Sequence, residues 1–171
     1  RRVLFRSASF GWRMPGCRSR NSTFAALMRI YRSPEAFTRL PFAVVTSGTF
    51  DGVHKGHQEI LRRLTEIARR HNGESVVLTF WPHPRLILQP EKANLRLLNT
   101  FSEKARLIEQ AGVDHLLVIP FNKEFAAVSS ESFIGNILVD GIGTKRLVIG
   151  YDHHFGRNRE GNFQELKENG P

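Results

Sequence analysis

The sequence predicts an α/β fold, a doubly wound parallel sheet. Three observations lead there. From Phe42 onward, short apolar runs of strand type alternate with amphipathic runs of helical period, the pattern of parallel strands joined by crossover helices. The changes between them are marked by glycines or by a helix-capping serine or threonine. The chain has 171 residues, 40% of them apolar, which suits one domain with a real core.

Residues 43–46 read as the first strand. Over 57–70 the apolar residues Ile60, Leu61, Leu64, Ile67 and Ala68 form a helical stripe, and Gly73 is placed to end that helix in left-handed geometry. Residues 75–80, rich in valine and bounded by Gly73 and Pro82, read as the second strand. Thr100 and Glu103 make a capping-box pattern before a helix that runs to Ala111 and is stopped by Gly112. Residues 115–119 form the third strand. Ser130 is placed to cap a helix whose Phe133, Ile134, Ile137 and Leu138 face the core, and residues 146–149 form the fourth strand. With right-handed crossovers, these elements build a Rossmann-like sheet.

Composition narrows the function. A formal net charge of +9 taken whole points toward nucleic acid. Its distribution does not: residues 1–30 carry seven arginines (Arg1, Arg2, Arg6, Arg13, Arg18, Arg20 and Arg29) and no acid, leaving 18 basic against 16 acidic residues, a net of +2, in the remainder. No nucleic-acid partner is therefore expected. No apolar run approaches the roughly 18 residues of a membrane-spanning helix, so no membrane partner is expected either. The single cysteine, Cys17, excludes an intrachain disulfide, and a reducing compartment, the cytoplasm, is the default.

Residues 1–27 have no sustained periodicity and are expected to be disordered. An Arg-rich, acid-free segment suits a transit peptide. The preferred reading is an artefact: Arg2-Val3-Leu4-Phe5-Arg6-Ser7 is what the end of a common sequencing adaptor encodes in one frame, and Met28 is then the start. The domain is expected over 28–171. Its end at Asn169-Gly170-Pro171, just after a short helical pattern, reads as a truncation.

The stretch Gly48-Thr49-Phe50-Asp51-Gly52-Val53-His54-Lys55-Gly56-His57 lies where the first strand hands over to the first helix. Ligands bind beyond the carboxyl ends of such strands. Glycines allow the backbone to approach a ligand closely, and the helix start offers free N–H groups to phosphate. His54 and His57, three apart, can point at one anion from one side. No Gly-x-x-x-x-Gly-Lys-Ser/Thr loop is present. A zinc site from His54, His57, His153 and His154 is disfavoured, because zinc gives the glycines no role. No protein metal ligand is assigned.

The His-x-Gly-His string is a signature of the nucleotidylyltransferase superfamily, and its longer Gly-Thr-Phe-Asp-Gly-Val-His form resembles the FAD synthetase domain of the bacterial bifunctional riboflavin kinase and FAD synthetase family. Thr79-Phe80-Trp81-Pro82-His83-Pro84-Arg85 resembles the family's Thr-Phe-x-Pro-His-Pro segment, and Gly150-Tyr151-Asp152-His153-His154-Phe155-Gly156-Arg157 its Gly-x-Asp-Phe-x-Phe-Gly segment, with His153 in place of the first Phe. The resemblance runs from about Met28 to the end. It implies an FMN adenylyltransferase: ATP and FMN as substrates, FAD and pyrophosphate as products, and Mg²⁺ carried with ATP. His54 and His57 are then catalytic, and Gly48, Thr49, Phe50, Asp51, Gly52 and Gly56 join them in binding ATP. Pro82, His83, Pro84, Asp152, Phe155 and Arg157 line the FMN side. The family's Ser-Ser-Thr segment with its following Arg, and its riboflavin kinase domain, are expected beyond Pro171, so the chain as given is expected to be poorly active.

Other readings remain. A nucleotidylyltransferase acting on a different phosphate substrate would share the His pair, and a non-catalytic fragment would not need it. A class I aminoacyl-tRNA synthetase fragment would need a Lys-rich second signature and RNA affinity, against which the nearly balanced core charge argues.

Overall fold

The computed structural model describes residues 27–89, 91 and 96–150. Five strands lie side by side: β1 (Arg29–Tyr31), β2 (Ala43–Ser47), β3 (Glu74–Trp81), β4 (His115–Pro120) and β5 (Thr144–Leu147). Their order is β1-β4-β3-β2-β5, and every pairing is parallel. From β2 the chain steps outward through β3 to β4, then returns to the other side of β2 to lay down β5. The direction reverses at β2, and the crevice that opens there, beyond the carboxyl ends of β2 and β5, is where open α/β sheets take ligands.

Alternating side chains give the sheet two apolar faces. Val44, Val77, Leu116 and Val118 point to one face, which is covered by Leu61, Leu64 and Ala68 of helix α1 (Lys55–Arg70) and by Ala105 and Ile108 of helix α3 (Phe101–Gln110). Ala43, Val45, Val76, Leu78, Leu117 and Ile119 point to the other, under Phe133, Ile134, Leu138 and Ile142. Burial of each such Leu or Ile contributes about 1.5–3 kcal/mol. Three short helices occupy connections: α2 (Pro84–Leu88), α4 (Lys123–Ala126) and α5 (Ser130–Ser132), the last widening directly into a π-helical segment (Phe133–Ile142).

Helix boundaries follow local chemistry. Thr100 and Glu103 form a reciprocal capping box: the Glu103 N–H donates to Thr100 Oγ1 at 3.3 Å, and the Thr100 N–H donates to Glu103 Oε2 at 2.8 Å. Gly112 ends α3 with φ of +79°, as expected. Other boundaries differ. At the end of α1 the left-handed residue is Asn72 (φ 51°), not Gly73. Gly73 serves packing, since a Cβ there would lie 2.7 Å from the Phe42 carbonyl oxygen. Ser129, not Ser130, caps α5, accepting from the Ser132 N–H at 3.2 Å. The last strand begins two residues earlier than expected, at Thr144, and ends at Leu147. The sheet also holds a strand that the sequence did not suggest, β1, which pairs with β4 alone. On the solvent face of α1, Glu59 and Glu66 are bridged by Arg62, Arg63 and Arg70. Such exposed pairs contribute little.

Candidate active site

The loop after β2 is built for a sharp turn. Gly48 donates its N–H to the Leu78 carbonyl of β3 at 3.0 Å, which anchors the loop to the sheet. Phe50 adopts left-handed geometry (φ 48°, ψ 39°) with its ring buried. Gly52 follows at φ +78°, where a Cβ would also strike Leu98. The turn delivers His54 as the cap of α1, its Nδ1 accepting from the His57 N–H at 3.4 Å. Spacing of three at a helix start brings the two imidazoles face to face, with ring centroids 3.7 Å apart and planes inclined by 21°. Gly56 makes room for this stack, since a Cβ there would sit 3.2 Å from His54 Cε1.

The two rings are not equivalent. His54 is exposed, whereas His57 is half-buried against Phe50, with centroids 5.0 Å apart. His57 Nδ1 is buried and has no hydrogen-bond partner among the described residues. Burial, seconded by the neighbouring His54 and by Lys104, pushes the His57 pKa down to about 4, against the pull of Asp51. His57 is therefore neutral at pH 7, with a polar edge that nothing among the described residues satisfies. That is a costly state for a buried group unless a ligand completes it.

Groups remote in sequence complete the cluster. His83 follows a cis Trp81–Pro82 bond and caps α2, its Nδ1 accepting from the Arg85 N–H at 3.2 Å. It is buried, and that burial lowers its pKa; Asp51 opposes the shift, while Lys104 and Arg85 reinforce it. Lys104 of α3, 3% exposed, donates from Nζ to the Thr49 carbonyl at 2.6 Å and lies 5.8 Å from the Trp81 ring centroid. Burial lowers its pKa too, against the pull of Asp51. Asp51 accepts the Leu98 N–H at 2.9 Å, tying the turn to the segment before α3. The charges of Asp51 and Lys104 thus act on both His57 and His83, so the loop after β2 and the loop after β3 share one electrostatic site.

Of the residues singled out in the sequence, Gly48, Thr49, Phe50, Asp51, Gly52, His54, Gly56 and His57 come together at the β2–α1 turn, and His83 joins them through β3. Pro82 is exposed and Pro84 half-buried beside it. Asp152, Phe155 and Arg157 lie outside the described residues. The chain nevertheless leaves β5 toward this edge: Val148 donates to Val45 at 2.8 Å, and a Cβ on Gly150 would lie 3.5 Å from Ile60 of α1. Sequence reasoning missed Lys104. The available signal was a lysine inside the apolar stripe of α3, next to Ala105 and four residues before Ile108. A separate groove of about 370 Å³ lies at the β1–β4 edge, lined by Ser33, Glu35, Pro120, Asn122 and Phe125 among others. It contains no imidazole or ammonium, and the cluster around His57 is the better candidate for phosphate chemistry.

A parallel sheet whose first crossover turn presents stacked histidines and glycine-relieved backbone defines a nucleotide-handling α/β domain of the nucleotidylyltransferase type. A family model described as FAD synthetase matches residues 38–171. The chain belongs to the FAD synthetase family. Two similar proteins, each a bifunctional riboflavin kinase/FMN adenylyltransferase, come from Escherichia coli (strain K12) and Pseudomonas fluorescens. They are 39% and 42% identical over 127 residues, covering 74% of this chain and 40% of each relative. The chain thus spans about two fifths of the length of these relatives. A crystal structure described as a macrolide-efflux protein from Streptococcus pneumoniae matches with a TM-score of 0.73 at 27% identity, over 83% of this chain and 46% of that one.

Proposed function

We propose that the chain is an FMN adenylyltransferase domain, moving the AMP part of ATP onto FMN. The observation that carries this reading is the stacked His54–His57 pair, with an unsatisfied nitrogen on His57, at the carboxyl edge of β2 in a chain of the FAD synthetase family. An oxygen of the FMN phosphate attacks the α-phosphorus of ATP. The bond from that phosphorus to the bridging oxygen breaks, and pyrophosphate leaves with the electron pair. No covalent enzyme intermediate is needed. Rate enhancement then comes from positioning and from donors aimed at oxygens whose charge grows. His54 and His57 are such donors, Gly48 to Gly52 shape the phosphate turn, and the stiff Pro82-His83-Pro84 loop borders the flavin side. Asp152, Phe155 and Arg157 are assigned to FMN on resemblance alone.

Mg²⁺ enters with ATP and offsets phosphate charge. Such an ion would be held mainly by nucleotide oxygens and water. The full-length gene product is proposed to carry a riboflavin kinase domain as well, in line with the names of its relatives. Cytoplasmic residence and the lack of a nucleic-acid partner follow from the same metabolic role, and no helix among the described residues is long and apolar enough to cross a membrane.

The test is FAD formation from FMN and ATP by the full-length gene product. His54→Ala should lower turnover on the order of a hundred- to a thousand-fold, as loss of a transition-state donor commonly does. Near-normal turnover would remove the phosphate role. Adenylylation of some other phosphate acceptor, with none of FMN, would move the domain elsewhere in the superfamily.

A further inference from the structure

A buried ammonium is expensive to keep, and Lys104 is kept 3% exposed, with a hydrogen bond to the Thr49 carbonyl. Thr79 Oγ1, fully buried on β3, donates to the same oxygen at 3.4 Å. Two elements remote in sequence therefore converge on one backbone atom of the turn. The Thr49–Phe50 peptide is planar and trans, so its N–H points opposite to its C=O. With the carbonyl drawn toward Lys104 and Thr79, the Phe50 N–H is turned the other way. It has no hydrogen-bond partner among the described residues. Phe50 is also held in left-handed geometry, which a residue with a Cβ adopts only when its surroundings enforce it.

We propose that Lys104 is a positioning residue for phosphate binding: by holding the Thr49 carbonyl it orients the Phe50 N–H as a donor to a phosphate in the β2–α1 turn. The inference deepens the adenylyltransferase reading and rests on it for the identity of the phosphate. The groups around the ammonium, Thr49, Asp51, Thr79, Trp81 and the two half-buried or buried imidazoles His57 and His83, include a single carboxylate. The ammonium balances that carboxylate and His57 is neutral at pH 7, so these groups set no net negative charge against an incoming anion.

The experiment uses the full-length gene product, labelled with ¹⁵N, and inorganic pyrophosphate as the probe. In the wild-type protein the Phe50 amide resonance should move on pyrophosphate addition. In Lys104→Met that movement should vanish, and pyrophosphate affinity by calorimetry should fall roughly tenfold or more, the usual scale for one charge-assisted contact. Turnover should fall with little change in KM for FMN, and Lys104→Arg should recover part of the loss. A merely structural lysine would lower the melting temperature and leave the amide response and the affinity intact, and that result would overturn the proposal. If Lys104→Met does not fold, Thr79→Val removes the other donor and should weaken the same amide response. An unchanged response there, or none in the wild-type protein, overturns the proposal equally. A protein that shows the Phe50 response and its loss in Lys104→Met, yet forms no FAD, supports the positioning role and sinks only the FMN reading.

Discussion

Two polar clusters sit at opposite ends of the same strands, and they are finished differently. At the amino ends of β3 and β4, His115 is 2% exposed and both ring nitrogens are engaged: Nε2 lies 2.8 Å from Glu74 Oε2, and Nδ1 lies 3.3 Å from the Tyr31 hydroxyl. Beside it, Asp114 Oδ2 accepts from both the N–H and the hydroxyl of Ser75, at 2.8 and 2.7 Å. At the carboxyl ends, His57 keeps a buried nitrogen without a partner, and the Phe50 N–H is likewise unpaired among the described residues. The first cluster is closed and holds three strands together. The second is left open, and an open set of buried polar groups is a place for a ligand rather than a source of stability.

The contrast can be broken from either side. His115→Ala should have the largest effect on folding, about 2–4 kcal/mol by chemical denaturation, because it opens a cavity between Tyr31 and Phe37 and strands Glu74. FAD formation per folded molecule should stay at the wild-type level, and a selective loss of activity would blur the division between the two ends. His54→Ala should behave inversely. Its capping bond is long, at 3.4 Å, so stability should change by at most about 1 kcal/mol while turnover collapses. The smallest effect tests the frame alone: Thr100→Ala removes the capping box of α3 and should cost about 1 kcal/mol in a denaturant melt. A loss several times larger would mean that the Thr100 turn also supports the Asp51–Leu98 tie.

Much of the fold is legible because its strands and helices are long enough to show a period and are bounded by residues with a fixed mechanical role. The β2–α1 turn is the most legible part, since three glycines and two histidines at fixed offsets leave few alternatives. Strand β1 was invisible: Arg29, Ile30 and Tyr31 are too few to alternate, and they become a strand only because β4 offers a free edge. The π-helical widening after Ser132 has no signal in an apolar stripe, although Gly135, Gly141 and several β-branched residues weaken the case for a regular α-helix there. Asn72 took the left-handed position reserved for Gly73 because Phe42 needed the space beside the glycine. Lys104 stands out in the sequence only as a lysine inside the apolar stripe of α3, and its role shows once the turn 55 residues earlier is folded against it.

The sign of the His57 shift turns the central claim into a measurement. Its folded value of about 4 lies below the ordinary 6.5, so the unfolded chain takes up the proton first. Stability should erode as the pH falls from about 6.5 toward 4, and it gains nothing from this group above that window. A phosphate bound at the ring opposes that shift, because an adjacent anion favours the imidazolium. NMR titration of the histidine rings in the full-length gene product, with and without saturating pyrophosphate, reads both states. The His57 midpoint should start near 4 and rise by about one unit or more with the anion present. A His57 midpoint that does not move while pyrophosphate is demonstrably bound would contradict the assignment of this turn to phosphate.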